Sequence, residues 1–118
     1  MKYLCLVILD EKKLEAMSKS ELEALDRESL AYDNTLRQSG HFLAAQALQP
    51  VKAAKTVRVQ KGKATVTDGP FVETKEQVGG FILINAKDMN EAIDVASKIP
   101  VARLAAIEVR PVKELTPS

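Results

Sequence analysis

The sequence predicts an α+β domain of the ferredoxin-like kind, running β-α-β, hairpin, β-α-β, with two helices on one face of the sheet. Three observations predict it. Residues 3–9 and 81–85 are apolar runs of strand length, the pattern of strands buried on both faces. Each run is followed by a segment whose apolar residues recur at helical spacing. Between these halves lie two short alternating runs joined by Lys61-Gly62, a hairpin signal.

Residues 3–9 (YLCLVIL) read as a central strand. Residues 17–39 then carry helical signals. Ser20 and Glu23 form an S-x-x-E capping box, and Ser18 with Glu21 offers an alternative start. Leu22, Leu25, Ser29, Tyr32 and Leu36 make one stripe. Asp33 and Arg37, four apart, are expected to pair in solvent. Gly40 suits the position just past the helix end.

Residues 41–48 (HFLAAQAL) read as the second strand, closed by Pro50. Residues 56–60 and 64–67 alternate and form the hairpin. Asp68-Gly69-Pro70 is the strongest loop signal in the chain. Gly79-Gly80 opens the strand at 81–85 (FILIN). Asp88 and Glu91 start a second helix, with Ala92, Ile93, Ala96 and Ile99 as its inner face and Pro100 near its end. Residues 106–112 are the last strand, an edge strand because of Pro111. Residues 1–113 form one domain and 114–118 a tail.

Two helices cover one face of a four-stranded sheet. Yet residues 3–9 send Cys5, Val7 and Leu9 to one side and Leu4, Leu6 and Ile8 to the other. Residues 81–85 do the same. Both faces want burial, and an open apolar face on so small a monomer is a liability. The simplest cover is a second copy, giving a homodimer with sheets face to face; a loop at 70–78 folded over that face is the other solution.

Composition bounds the function. At 118 residues one two-layer core is expected. A formal charge of +1 and only 4% aromatic residues argue against nucleic acid as a partner. No stretch approaches the ~20 apolar residues of a membrane span. The apolar run at 3–9 is followed at once by Asp10, Glu11, Lys12 and Lys13, which argues against a signal peptide. Cys5 is the one cysteine, so no internal disulfide forms, and a cytoplasmic location is expected.

The block Thr67-Asp68-Gly69-Pro70-Phe71-Val72-Glu73-Thr74-Lys75-Glu76-Gln77-Val78-Gly79-Gly80-Phe81 resembles the signature of DGPF-domain proteins, a branch of the YCII-related group. Ile99-Pro100-Val101-Ala102-Arg103 and Ile107-Glu108-Val109-Arg110-Pro111 close the chain as in that family. The resemblance covers nearly the whole chain. It implies a dimeric α/β barrel, in agreement with the face count. It also implies small-molecule chemistry by a His and an Asp sharing a cleft, with the His on the first helix. Here the first helix has no His. Association of DGPF genes with alternative sigma factors further implies a regulatory setting.

Asp68 and His41 are the candidate catalytic pair. An Asp before Gly-Pro caps its own turn; at a strand end it also serves as a general acid or base. His41 is the one histidine and titrates near neutral pH when unperturbed. Arg58, Glu73, Lys75 and Arg110 are candidate ligand-binding residues for a small anionic molecule, with Arg103 a further cation. The bland account of Arg58 is a cross-strand ion pair with Glu108; that of Glu73 and Lys75 is solvated loop charge. Gly69, Pro70, Phe71, Gly79 and Gly80 shape the loop. No second His or Cys stands at zinc-ligand spacing, and the glycine-rich phosphate-binding motifs are absent, so no metal or cofactor is expected. Two functions fit: acid/base chemistry on a small molecule in a cleft between dimer sheets, or a non-catalytic ligand-binding or regulatory module.

Overall fold

The computed structural model describes residues 1–117; Ser118, the end of the expected tail, lies outside the described residues. The chain runs β1 (Lys2–Asp10), α1 (Glu11–Glu15), α2 (Lys19–Gln38), β2 (Phe42–Ala47), β3 (Lys55–Gln60), β4 (Lys63–Asp68), β5 (Glu76–Asn85), α3 (Met89–Ser97) and β6 (Ala106–Pro111). Short 3-10 turns at Val51–Ala53 and Pro100–Arg103 complete it. Four strands form an antiparallel sheet in the order β2-β5-β1-β6, and β3-β4 is a separate ribbon. The α+β, ferredoxin-like expectation therefore holds, with the short helix α1 in addition.

The apolar runs take the central places, β1 and β5. Cys5 faces Ile82 and Tyr3 faces Ile84 across the ladder. These residues meet Leu36 of α2 and Ala92, Val95 and Ala96 of α3 in one core. The Tyr32 hydroxyl ties the two helices together, donating to the Val95 carbonyl at 2.7 Å. That bond satisfies the polar end of a ring whose body packs on the core. The inner face of α3 uses Val95 where the sequence suggested Ile93, which is 51% exposed. With the helix started at Asp88, positions 92, 95, 96 and 99 fall on one side and 93 falls off it.

α2 begins at the earlier of the two capping boxes. Ser18 Oγ accepts from the Glu21 N–H, and the Glu21 carboxylate accepts from the Ser18 N–H. The backbone bond holds the Glu21 carboxyl below its usual range, with the side-chain bond to Ser18 adding to it. The expected Asp33–Arg37 pair does not form. Arg37 donates to Asn34 Oδ1 at 2.7 Å and stacks over the Phe42 ring.

Strand β1 packs both of its faces differently. Tyr3, Cys5, Val7 and Leu9 are buried under the helices, while Leu4, Leu6 and Ile8 are half-buried on the face that no helix covers. Phe81 and Leu83 of β5 share that open face, opposite Leu6 and Leu4. Where β1 passes Gly79 the register shifts by one, between Val7 and Ile8. A Cβ on Gly79 would lie 2.2 Å from Leu9 Cδ2, and one on Gly80 would lie 2.8 Å from the Gln46 carbonyl oxygen. The glycine pair is thus required by close approach of β5 to both neighbours.

The β3-β4 ribbon turns at Lys61 (φ 50°) and Gly62 (φ 75°), the doubly left-handed geometry of a type I′ hairpin. All of its residues except Thr56 are exposed. The radius of gyration is 16.3 Å and the extents are 49 × 47 × 19 Å. A chain of this length folded without a projection has a radius of about 13–14 Å. The ribbon is that projection.

Candidate functional site

The helix α2 ends at Gln38, and Gly40 (φ 80°) turns the chain back toward β2. This turn brings Ser39 and His41 side by side. The Asn85 N–H donates to the His41 carbonyl at 2.8 Å, fixing the backbone of His41 against the end of β5. Glu91 arrives from the first turn of α3, two residues past Met89, where the helix begins. Asp88 caps that helix by accepting from the Glu91 N–H at 2.9 Å.

The side chains then meet in a chain of three. His41 Nδ1 lies 2.7 Å from Ser39 Oγ, and His41 Nε2 lies 2.9 Å from Glu91 Oε1. Ser39 Oγ also donates to the Leu36 carbonyl at 3.1 Å. A doubly protonated ring satisfies every one of these contacts in one direction: Nε2–H to Glu91, Nδ1–H to Ser39, and the Ser39 hydroxyl to Leu36. A neutral ring with Nε2–H to Glu91 leaves Nδ1 as acceptor, and the Ser39 hydroxyl then turns toward it. The two states differ by one proton and one hydroxyl rotation. Both His41 and Glu91 are only partly exposed, at 23% and 30% of their side chains. Asn85, Lys87 and these three residues line a shallow cavity of about 310 Å³ at this end of the sheet. The Lys87 ammonium is the cation nearest in sequence to Glu91 on that wall. A second cavity of similar size is apolar, lined by Ile93, Ala96, Ala102, Ile107 and Val109.

Asp68 stands elsewhere. It ends β4, and its side chain pairs with Lys55 across the base of the hairpin while staying 85% exposed. The Gly69 N–H donates to the Ala54 carbonyl at 2.8 Å, and Thr56 Oγ1 donates to the Gly69 carbonyl at 2.9 Å. Gly69 itself has φ 92°, a conformation glycine adopts without strain. His41 and Asp68 therefore have different partners. His41 sits where β2 begins, beside Asn85. The hairpin leaves the chain beyond the far end of β2, where the Leu48 N–H donates to the Gly79 carbonyl. Six strand residues separate those ends, roughly 17–20 Å.

The remaining expected ligand-binding residues scatter. Arg58 lies on the ribbon with its guanidinium 4.7 Å from the Phe71 ring centre, a cation–π contact. Glu108 is across the molecule, 4.0 Å from Arg110 Nε on the edge strand β6, so the suggested Arg58–Glu108 pair is absent. Lys75 Nζ lies 4.0 Å from Asp10, and Glu73 is exposed. Pro70 is half-buried and Phe71 is 68% exposed. Arg103 is held by Glu28, at 2.7 Å. That bond holds the Glu28 carboxyl below its usual range.

Loop 69–75 is locked by one side chain. Gln77 Nε2 donates to the Val72 carbonyl at 2.7 Å, with longer bonds to Thr74. The loop is therefore a built shape, and Asp68 at its start is already paired with Lys55. Sequence reasoning found His41 and missed Ser39 and Glu91. Glu91 is visible as the last residue of the Asp88-x-x-Glu91 capping pattern, which hides its second role. Among the described residues no three His, Cys, Asp or Glu side chains gather as a metal site, and no helix is long and apolar enough to cross a membrane.

Residues 1–116 match the model of the YCII-related domain. The chain is also 38% identical over 113 residues to an uncharacterized protein of Rhizobium meliloti (strain 1021), covering 94% of this chain and 91% of that one.

Proposed function

Given that the chain belongs to the YCII-related domain family, we propose that it is a small-molecule enzyme of the DGPF branch working by proton transfer, with His41 as its acid/base group. One observation carries this reading: His41 is held by Glu91 at 2.9 Å on one nitrogen and by Ser39 at 2.7 Å on the other, at the wall of a cavity. In such an arrangement the substrate proton passes to Ser39 Oγ as the Ser39 hydroxyl proton passes to Nδ1. Glu91 then stabilises the imidazolium; return of the proton to a second substrate atom completes an isomerisation, its delivery to the departing group completes an elimination, and where a bound water gives up the proton instead, the hydroxide opens a lactone and the proton goes to the leaving alkoxide. Lys87 supplies a positive charge for an anionic group of the substrate. The protein works in this reading as a cytoplasmic homodimer, its open sheet faces together.

The test is a thermal-shift screen against small anionic metabolites and lactones, run on the wild type, His41→Ala and Asp68→Ala. A ligand present at about 100 times its dissociation constant adds roughly 2.7 kcal/mol to stability. The expected result is a shift that disappears in His41→Ala and survives in Asp68→Ala. A shift indifferent to His41, or a flat screen across the library, sinks the reading.

A second reading, a non-catalytic interaction module, draws support from the loop. Asp68 is spent on Lys55, and Phe71 and Val72 stand 68% and 52% exposed. A loop locked by Gln77 so as to display apolar side chains suits a protein contact.

A further inference from the structure

Ser39, His41 and Glu91 stand in the order of a nucleophile, its base and the group that orients the base, the arrangement that activates a hydroxyl for attack. A carboxylate only accepts hydrogen bonds, so Glu91 Oε1 at 2.9 Å places the proton of the neutral ring on Nε2. That leaves the Nδ1 lone pair facing Ser39 Oγ at 2.7 Å. The Leu36 carbonyl, at 3.1 Å, is the longer of the two contacts open to the hydroxyl proton. The carboxylate is itself steadied, since Glu91 Oε1 also accepts from the Lys87 N–H at 3.4 Å. The two ring nitrogens are exchanged relative to the usual serine–histidine–carboxylate order, yet each group meets the atom its role requires.

We infer that Ser39 is a nucleophile and that this site cleaves small esters through an acyl-enzyme. The inference goes beyond the relay role given to Ser39 above and rests on that reading only for His41 as the base. Ser39 is exposed where His41 and Glu91 are only partly so, so the hydroxyl is the member of the three that a substrate reaches. Gly40 follows it at φ 80°, with open space where a Cβ would stand. Asn85 and Lys87 line the same cavity and bring an amide and an ammonium, the kinds of donor that a tetrahedral oxyanion needs. A shallow cavity of about 310 Å³ suits a short acyl group.

In acylation the Ser39 hydroxyl proton passes to Nδ1 as Oγ bonds to the carbonyl carbon. The bond from that carbon to the alcohol oxygen then breaks, and the departing alkoxide takes the proton from Nδ1. Water repeats the sequence on the acyl-enzyme. Its proton goes to Nδ1, its oxygen bonds to the acyl carbon, and Ser39 Oγ leaves with that proton. Ester and water become acid and alcohol.

The experiment is reaction of the full chain with a fluorophosphonate, read by intact mass and by mapping of the modified peptide. Release of p-nitrophenolate from p-nitrophenyl acetate is followed beside it. The wild type should form an Oγ–phosphorus bond at Ser39 with loss of fluoride, and should release p-nitrophenolate in a burst of about one equivalent. Labelling should be at least about 100-fold slower in His41→Ala. The burst should vanish in Ser39→Ala and return in Ser39→Cys, with circular dichroism verifying that each variant is folded. A wild type without an adduct, an adduct on another residue, or labelling as fast in His41→Ala as in the wild type overturns the nucleophile. If the thermal shift still depends on His41 in that case, the acid/base reading stands without it, so the two fail separately.

Discussion

His41 Nε2 lies 2.9 Å from Glu91 Oε1 although fifty residues separate them in the chain. The bond joins the turn between α2 and β2 to the first turn of α3. Removing Glu91 should therefore loosen the fold as well as the site. Glu91→Ala is expected to lower stability by about 1 kcal/mol in urea unfolding, and Glu91→Gln by less, because an amide oxygen still accepts from Nε2–H.

The glycine pair in β5 should not tolerate side chains equally. A Cβ on Gly80 meets the backbone carbonyl of Gln46, whereas one on Gly79 meets the end of the Leu9 side chain. Gly80→Ala is expected to destabilise by about 2 kcal/mol or more and Gly79→Ala by less, measured by the same unfolding titration.

At the hairpin base the order of sensitivity should invert the order of chemical interest. Asp68→Ala removes a surface ion pair and should change stability by less than about 1 kcal/mol. Gly69→Ala forces a side chain into a left-handed conformation and should cost about 1–2 kcal/mol. A larger effect of Asp68→Ala on stability would show that its carboxylate does more than pair with Lys55.

The capping box makes a prediction about register. Ser18→Ala should cost about 1 kcal/mol, while Ser20→Ala should fall within about 0.5 kcal/mol of the wild type. Because the Glu21 carboxyl is held below its usual range, its contribution is present at neutral pH and is lost as pH falls through that lowered value. The gap between Ser18→Ala and wild type should then narrow in acid.

Alkaline pH should destabilise the core. Burial pushes the Cys5 thiol up to about 11 from 9.0. Burial, with the charges of Asp94 and Cys5, pushes the Tyr32 hydroxyl up to about 12 from 10.0. The unfolded chain ionises first in both cases, so stability is intact below pH 9 and declines from pH 9 toward 12. Urea midpoints from pH 8 to 11 should fall. Cys5→Ala should remove the part that begins at pH 9. The native thiol should also be inert to a disulfide reagent at pH 8 and react on unfolding.

The fold was legible because its strongest signals are local. YLCLVIL and FILIN name the central strands, Lys61-Gly62 names the hairpin, and Leu25, Tyr32 and Leu36 name the covered side of α2. The site was less legible, because the bond that builds it is not local. Nothing near His41 announces Glu91, and Asp88-x-x-Glu91 is fully explained as a helix start. Asp68 drew interest as an acid before Gly-Pro, while Lys55, thirteen residues earlier, is the group that takes it. The short helix α1 was missed for a related reason: Glu11–Glu15 has one apolar residue, too few to show a period.

The strand order β2-β5-β1-β6 also sets a schedule. β1 is made first, yet both of its neighbours come from residues 76–111. On the ribosome, at about 5–20 residues per second, YLCLVIL waits roughly 4–15 s for FILIN to be synthesised. During that time neither of its edges can pair with its final neighbour. A slow stretch of translation between β2 and β5 would lengthen that interval, so synthesis speed should govern how much of the protein escapes aggregation.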